Sequence, residues 1–156
     1  MQGGCFGGGT GIVAACDIVV ASLDAVFSIS EVRWGLHAGP ILPQLAAAIG
    51  TGQLRRLALT GETFGAEKAM SLGLVHEICE KGGHKDAVEP ILESILQNGP
   101  SAMKDTKRLI FEISSLNLEK KFNSYLAKEH AKKRLSAEAS EGLKSFKEKR
   151  AATWSA

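Results

Sequence analysis

Charged residues are scarce in the first third of this chain, and several features that define other classes of protein are missing. Residues 1–52 carry only four charged side chains, Asp17, Asp24, Glu31 and Arg33. The whole chain of 156 residues has a net charge of only +2, so no strong field favours a nucleic-acid partner. No run of about 18 apolar residues occurs. We therefore expect no membrane-spanning helix and no membrane partner.

Cysteine and histidine are too few and too scattered to suggest a metal site. The four histidines form no HxxH or HExxH pair, and Cys5, Cys16 and Cys79 have no ligand-like spacing. An odd number of cysteines without a disulfide framework predicts reduced, buried thiols. No signal peptide is visible. We expect a cytoplasmic protein without a metal.

Glycine and short apolar segments dominate the first part of the chain instead. Ten of the 17 glycines lie in residues 1–52. The apolar patterns predict a buried helix over 10–16, strands over 18–21, 26–29 and 74–78, and helices over 44–49, 53–59, 66–72 and 87–97. After Pro100 the pattern is helical to the end. The order indicates an α/β core over residues 1–98 and a helical C-terminal domain over residues 99–156.

The run Gly7-Gly8-Gly9-Thr10-Gly11 stands directly before the first predicted helix. Glycine allows unusual backbone angles and lets a ligand approach the main chain. The first N–H groups of a helix lack internal partners and carry the positive end of its dipole, so such a turn can receive an anion or an oxyanion. No lysine follows, as a phosphate-binding Walker loop requires, and the spacing fits a dinucleotide fingerprint poorly. A tight packing turn without a ligand is the alternative interpretation.

Four segments together carry a more specific signal: residues 3–18 (GGCFGGGTGIVAACDI), 27–36 (FSISEVRWGL), 59–75 (LTG…AEKA…LGLV) and 140–150 (SEGLKSFKEKR). In this order they resemble the motifs of the enoyl-CoA hydratase/isomerase (crotonase) superfamily. The combination of Gly11, Ser30 and the loop at residues 41–43 is similar to the branch of methylglutaconyl-CoA and isohexenylglutaconyl-CoA hydratases.

The resemblance implies an acyl-CoA enzyme of trimers or hexamers, built as a superhelix of β-β-α turns. The coenzyme A thioester would be the substrate, and no cofactor is expected. Gly8 matches a backbone donor of the family's oxyanion hole, and Glu31 matches the family's catalytic acid/base. The second donor lies in the family's N-terminal half, so we expect the chain to begin partway through the fold.

The resemblance also implies substrate contacts at several other positions. These are Gly7, Gly9, Gly11 and Gly39 in the core, and Phe146 and Lys149 near the C-terminus. Packing for Phe146 and solvent exposure for Lys149 are the alternatives. Arg33 is expected to pair with Glu31, to form a structural ion pair, or to meet a substrate carboxylate. Phe27 and Trp34 are expected in the core, with contacts to the acyl group as the alternative.

One departure from the family pattern leaves the reaction open. Two-glutamate hydratases have a second acidic residue where this chain has Gly11. A single base at Glu31 suits an enoyl-CoA isomerase, whereas the narrower resemblance favours hydration of a branched or carboxylated 2-enoyl-CoA. Two further alternatives are an inactive, truncated fragment that only oligomerises and a half-enzyme completed by another polypeptide.

Overall fold

The computed structural model describes residues 1–34, 36–115, 132 and 135–154, without the side chains of Ser114, Ser115 and Phe146. These residues form two compact units, Met1–Pro90 and Ile91–Ala156. The division falls inside a helix, whereas the boundary predicted from the sequence follows that helix at residue 98. The oligomerisation role assigned to residues 99–156 stays a prediction.

Five short strands form two small sheets in the first unit. The strands are β1 (Gly4–Phe6), β2 (Val20–Ser22), β3 (Val26–Ser28), β4 (Thr63–Gly65) and β5 (Glu77–Cys79). Strand β3 pairs parallel with β1 and antiparallel with β4, while β2 pairs parallel with β5. Each strand predicted from the sequence is present within a few residues. Strands β1 and β4 were not predicted, because each has three residues with only one large apolar side chain.

Helices connect and follow these strands. They are α1 (Gly8–Ala14), α2 (Leu42–Thr60), α3 (Ala66–Ser71), α4 (His84–Leu96), α5 (Pro100–Ser115) and α6 (Ala137–Glu148). Two 3₁₀ turns, Glu31–Trp34 and Gly39–Ile41, lie between β3 and α2. The helical pattern predicted from Leu118 to Leu126 lies outside the described residues. No helix in the described part of the chain is long and apolar enough to cross a membrane.

The core of the first unit joins the strands to α2 and α3. Phe27 of β3 is fully buried and stacks on Phe64 of β4, with ring centroids 5.6 Å apart. Leu45 and Leu57 of α2 are also fully buried in this cluster. The cross-strand aromatic pair fixes β4 against β3, which positions the end of β3 for the candidate site.

Three exposures differ from the sequence-based expectations. Helix α1 begins at Gly8 and buries only Thr10 and Gly11, while Ile12 is 72% exposed. A helix of two turns packs one face only, so the prediction of a fully buried helix was wrong for the described chain. Cys16 is exposed rather than buried, because it follows the end of α1. Trp34 is 78% exposed, so its expected place in the core was also wrong.

The second unit contains its own capping and ionic contacts. The Glu138 carboxylate accepts hydrogen bonds from the backbone N–H groups of Ser101 (2.8 Å) and Ala102 (2.5 Å), at the start of α5. A carboxylate stabilises this end of a helix because it satisfies free N–H groups and opposes the dipole. The Arg150 guanidinium donates to both oxygens of Glu141, at 2.7 and 2.9 Å, which lowers the pKa of that carboxyl.

Helix α2 is kinked at Gly50, where the sequence predicted the end of one helix and a gap before the next. Gly50 has φ 72° and ψ 154°, a conformation that side chains rarely adopt, so the helical hydrogen bonding is interrupted there. Gly52, two residues on, is helical, and a methyl group would meet no atom within 4 Å at either position. The two glycines therefore differ in backbone conformation and not in available space.

We predict that Gly50→Ala lowers the free energy of unfolding by about 1–2 kcal/mol, because alanine at positive φ is strained. Gly52→Ala is the matched control, and it should raise the free energy of unfolding by about 0.5–1 kcal/mol through helix propensity. Chemical denaturation of both variants measures the effect. Equal stability changes in the two variants would contradict the kink as the reason for Gly50.

Candidate active site

The candidate site lies where β1 and β3 end. The two strands are parallel and in register, with Phe6 opposite Ser28, so the segments that follow them leave the same edge of the sheet. The glycine turn follows β1 and the 3₁₀ turn with Glu31 follows β3. The backbone N–H of Gly7 donates to the carbonyl oxygen of Ser28 at 3.0 Å and joins the two segments.

Ser28 also connects this edge of the sheet to the C-terminal end of α2. Its hydroxyl is buried and donates to the carbonyl oxygen of Gly61 at 2.9 Å, at the C-terminal end of α2. The Ser28 side chain thus donates to the Gly61 carbonyl, while the Ser28 carbonyl accepts from the Gly7 N–H. Both bonds fix the exit of β3 three residues before Glu31.

The Glu31 carboxylate lies directly against the glycine turn. A Cβ atom on Gly7 would be 3.4 Å from Glu31 Oε1 and 3.6 Å from the carboxyl carbon. Gly7 has φ 53°, so any other residue there would be strained, and its Cβ would lie in van der Waals contact with the carboxylate. Glu31 Oε2 is inaccessible to solvent and has no hydrogen-bond partner among the described residues. A buried, unpartnered carboxylate oxygen costs stability, and such costs are typical of functional sites.

Thr10 determines the direction of the Gly8 N–H. The carbonyl oxygen of Gly7 accepts from the Thr10 N–H at 2.9 Å and from the Thr10 hydroxyl at 2.7 Å. This carbonyl shares one planar trans peptide with the Gly8 N–H, so the N–H points the opposite way, out of the helix. As the first helical N–H it has no intrahelical acceptor. Gly8 is exposed, and a Cβ there would meet nothing within 4 Å.

The other glycines of the turn have different surroundings. The N–H of Gly7 is committed to Ser28, so Gly7 is not a free donor for a ligand. A Cβ on Gly9 would lie 3.5 Å from Cys5 Sγ, which places Gly9 towards the core. Burial raises the pKa of the Cys5 thiol, more than the nearby N-terminal ammonium lowers it, so Cys5 stays protonated and is no nucleophile. Gly8 therefore presents an open backbone donor in this turn.

Gly11 and Gly39 lie at the contact between α1 and the second 3₁₀ turn, and their substrate contacts stay predictions. Gly11 is buried under the side chain of Ile41, so it has no open surface for a ligand. Gly39 begins the 3₁₀ turn that carries Ile41, and its N–H donates to His37 Nδ1 at 3.2 Å. The turn and α1 pack together, and Ile41 is the residue that faces Gly11.

The structure decides between some of the alternatives for Arg33 and leaves others as predictions. Arg33 makes no ion pair with Glu31, although both residues are described. Its side chain lies against Gly61, where a Cβ would be 3.1 Å from Arg33 Nε, at the C-terminal end of α2. Lys149 is exposed at positive φ (52°) after α6, and the side chain of Phe146 is outside the description. Both belong to the second unit, and their substrate contacts stay predictions.

Three residues at this site have positions that the sequence did not reveal: Thr10, Ser28 and Ile41. A threonine at the start of a helix after a glycine turn is a capping signal and would have drawn attention to Thr10. The contacts of Ser28 and Ile41 depend on tertiary packing and have no local signal. In the described chain, no group of three or more His, Cys, Asp and Glu residues is placed to hold a metal ion.

Comparison with known proteins identifies the class. The family model for enoyl-CoA hydratase/isomerase matches residues 1–156. Mevalonyl-coenzyme A hydratase of Aspergillus fumigatus is 31% identical over 156 residues, which is 99% of this chain and 58% of that protein. The peroxisomal Delta(3,5)-Delta(2,4)-dienoyl-CoA isomerase of Arabidopsis thaliana is 34% identical over 121 residues, 76% of this chain and 44% of that one.

A solved structure extends the similarity to the fold. The enoyl-CoA hydratase from Shewanella pealeana superposes with a TM-score of 0.92 at 34% identity, covering 97% of this chain and 57% of that chain. The predicted crotonase-like α/β fold is therefore confirmed. The chain belongs to the enoyl-CoA hydratase/isomerase family. It spans little more than half the length of such relatives, 58% and 57% for the fungal enzyme and the Shewanella structure.

We predict that Thr10→Val shifts the Gly8 amide resonance in a ¹H–¹⁵N NMR spectrum and lowers the free energy of unfolding by about 1 kcal/mol, the usual worth of one hydrogen bond. Valine keeps the shape but removes the hydroxyl that bonds to Gly7. Thr10→Ser retains the hydroxyl and is the control, with the Gly8 resonance near its original position. An unmoved Gly8 resonance in Thr10→Val would contradict the orienting role of the hydroxyl.

Proposed function

We propose that the protein acts on acyl-CoA thioesters and adds water to a branched or carboxylated 2-enoyl-CoA. The observation that carries the proposal is the Glu31 carboxylate, with a buried oxygen that has no partner among the described residues, against the glycine turn that presents the Gly8 N–H. A backbone donor beside a carboxylate suits a reaction in which an oxygen gains negative charge while a proton moves nearby. Membership of the enoyl-CoA hydratase/isomerase family supports the choice of thioester.

The proposed reaction has one role for each group. The thioester carbonyl oxygen accepts a hydrogen bond from the Gly8 N–H, and this bond strengthens as the oxygen becomes enolate-like. Water adds through its oxygen to the β-carbon, and Glu31 accepts its proton. Glu31 then gives a proton to the α-carbon, so the water is consumed and the carboxylate is regenerated. The coenzyme A thioester is the substrate, and no cofactor takes part.

Two observations favour a branched or carboxylated acyl group. The relative named for mevalonyl-coenzyme A matches 99% of this chain. Arg33 is exposed two residues after Glu31 and is not paired with it, so its guanidinium is a candidate to meet a substrate carboxylate. These observations support the methylglutaconyl-like branch as the finer proposal. We further propose a homotrimer or hexamer in the cytoplasm, which the family resemblance implies.

Isomerisation is the second candidate. Residue 11 is a glycine and is covered by Ile41, so α1 provides no second carboxylate at this position next to Glu31. A single base can move a proton between two carbons of an unsaturated thioester, and the plant relative is named as a dienoyl-CoA isomerase. Product analysis with 2-enoyl-CoA and 3-enoyl-CoA distinguishes the two, because only hydration yields a hydroxyacyl product.

We predict that Glu31→Gln lowers kcat by about 10²–10⁴-fold, the usual contribution of a positioned acid or base, while acyl-CoA binding changes little. Glutamine keeps the shape of the side chain but does not accept the proton. Turnover is measured with 2-enoyl-CoA and binding by calorimetry. Glu67→Gln, an exposed change in the first turn of α3, is the control and should keep full turnover.

Two results would contradict the assignment. Unchanged turnover in Glu31→Gln would remove Glu31 from the proton transfer. A protein of intact mass 16.6 kDa that neither binds nor turns over any enoyl-CoA would instead favour a fragment that only oligomerises, or a half-enzyme that needs another polypeptide. Addition of a complementary polypeptide and recovery of activity would then separate these two.

A further inference from the structure

Ile41 and Gly11 form a tight interlock between the 3₁₀ turn and α1. A Cβ atom on Gly11 would lie 2.5 Å from Ile41 Cβ and closer still to Ile41 Cγ2, with Ile41 Cα at 3.5 Å. The near atoms are close to the backbone of Ile41, so rotation of its side chain does not relieve the contact. Position 11 therefore has to be glycine while position 41 is isoleucine.

Ile41 is held on its other sides as well. Its N–H donates to the carbonyl oxygen of Ala38 at 2.9 Å, and Ile41 is the residue from which α2 begins. It packs against the core cluster that contains Leu45 and Ile49 of the same helix. The side chain is half-buried, so part of its surface remains available beyond the contact with Gly11.

The interlock lies one helical turn along α1 from the carboxylate. Glu31 lies against Gly7, the residue before α1, and Ile41 lies against Gly11, four residues further on; one turn of a helix rises about 5.4 Å. A carboxylate that moves a proton must come within about 3 Å of the reacting atoms. A substituent on those atoms extends one or two bonds further and falls within van der Waals range of a side chain at that spacing.

We propose that Ile41 is a specificity-determining residue of this site. The Ile41 side chain fills the space above Gly11, so the acyl group contacts an apolar surface, called here the isoleucine wall, about one helical turn from Glu31. The wall favours thioesters with an alkyl branch at the β-carbon over unbranched ones. The ligand in this assignment rests on the proposed function. The contact between Ile41 and Gly11 does not depend on the proposed function.

The first test measures packing without any ligand. Gly11→Ala should lower Tm by roughly 3–10 °C in the parent protein, because it overpacks the contact. In an Ile41→Gly background the nearest remaining atom is the Cα, at ordinary contact distance. There the same change should raise Tm, as alanine does at an unhindered helix position.

Gly52→Ala is the control for this cycle, with helical backbone and no atom within 4 Å of the new methyl group, and it should raise Tm in both backgrounds. The reversal of sign at position 11 is the expected result. The same loss of Tm from Gly11→Ala in both backgrounds would overturn the interlock, and with it the placement of Ile41.

The second test measures ligand preference by binding, so that it does not depend on turnover. The probes are 3-methylbutanoyl-CoA, which is branched at the β-carbon, and butanoyl-CoA, which is not. The ratio of the two dissociation constants should favour the branched thioester in the parent. It should fall by about tenfold in Ile41→Ala and by less in Ile41→Val, as expected for lost methyl and methylene contacts.

Ile49→Val is the control, since Ile49 is buried in the core face of α2 and should leave the ratio unchanged. A ratio that stays within twofold in Ile41→Ala, or no binding of either probe, would overturn the assignment of Ile41. A ratio that depends on Ile41 in a protein without enoyl-CoA turnover would support Ile41 and contradict the proposed reaction.

Discussion

The hydrogen bond from the Gly7 N–H to the Ser28 carbonyl is the contact on which the rest of the site depends. It ties the end of β1 to the end of β3 and so brings two segments, far apart in sequence, to one sheet edge. The same bond removes Gly7 as a free donor and leaves its carbonyl to Thr10. The Gly8 N–H then points outward, beside the carboxylate of Glu31. This backbone bond therefore brings the carboxylate to the glycine turn, while the bonds from Thr10 to the Gly7 carbonyl orient the donor.

Stability and function oppose each other at this edge. Glu31 Oε2 is buried without a described partner, and Gly7 is held in a conformation that only glycine adopts easily. Neither feature lowers the energy of the fold. The stacked Phe27–Phe64 pair and the buried Ser28 hydroxyl offset that cost in the elements next to it. The elements around the site therefore supply the stability that the carboxylate and the glycine turn do not.

The sequence predicted the parts of this site that are local and failed for those that are tertiary. The residue types of the glycine turn indicated a backbone donor, the family resemblance implied the role of Glu31, and both roles stay predictions. The alternation of strands and helices indicated the α/β fold. The interlock of Gly11 with Ile41 joins two segments that no local pattern links. The helix end predicted at Gly50 agrees with the kink of α2, because glycine is the residue that readily adopts the non-helical conformation found there. The exposure of Ile12 and Trp34 depends on which faces the neighbouring elements cover, and composition does not encode that.

The most direct test of the central claim is exchange of the α-hydrogens of butanoyl-CoA in D₂O, followed by mass spectrometry. This saturated thioester has no double bond to hydrate or move, so exchange reports only enolate formation at Gly8 and proton transfer by Glu31. The account predicts exchange that is accelerated by the protein and returns to the uncatalysed rate in Glu31→Gln. Exchange that is equally fast in that variant, or that is not accelerated although the thioester binds, would contradict it.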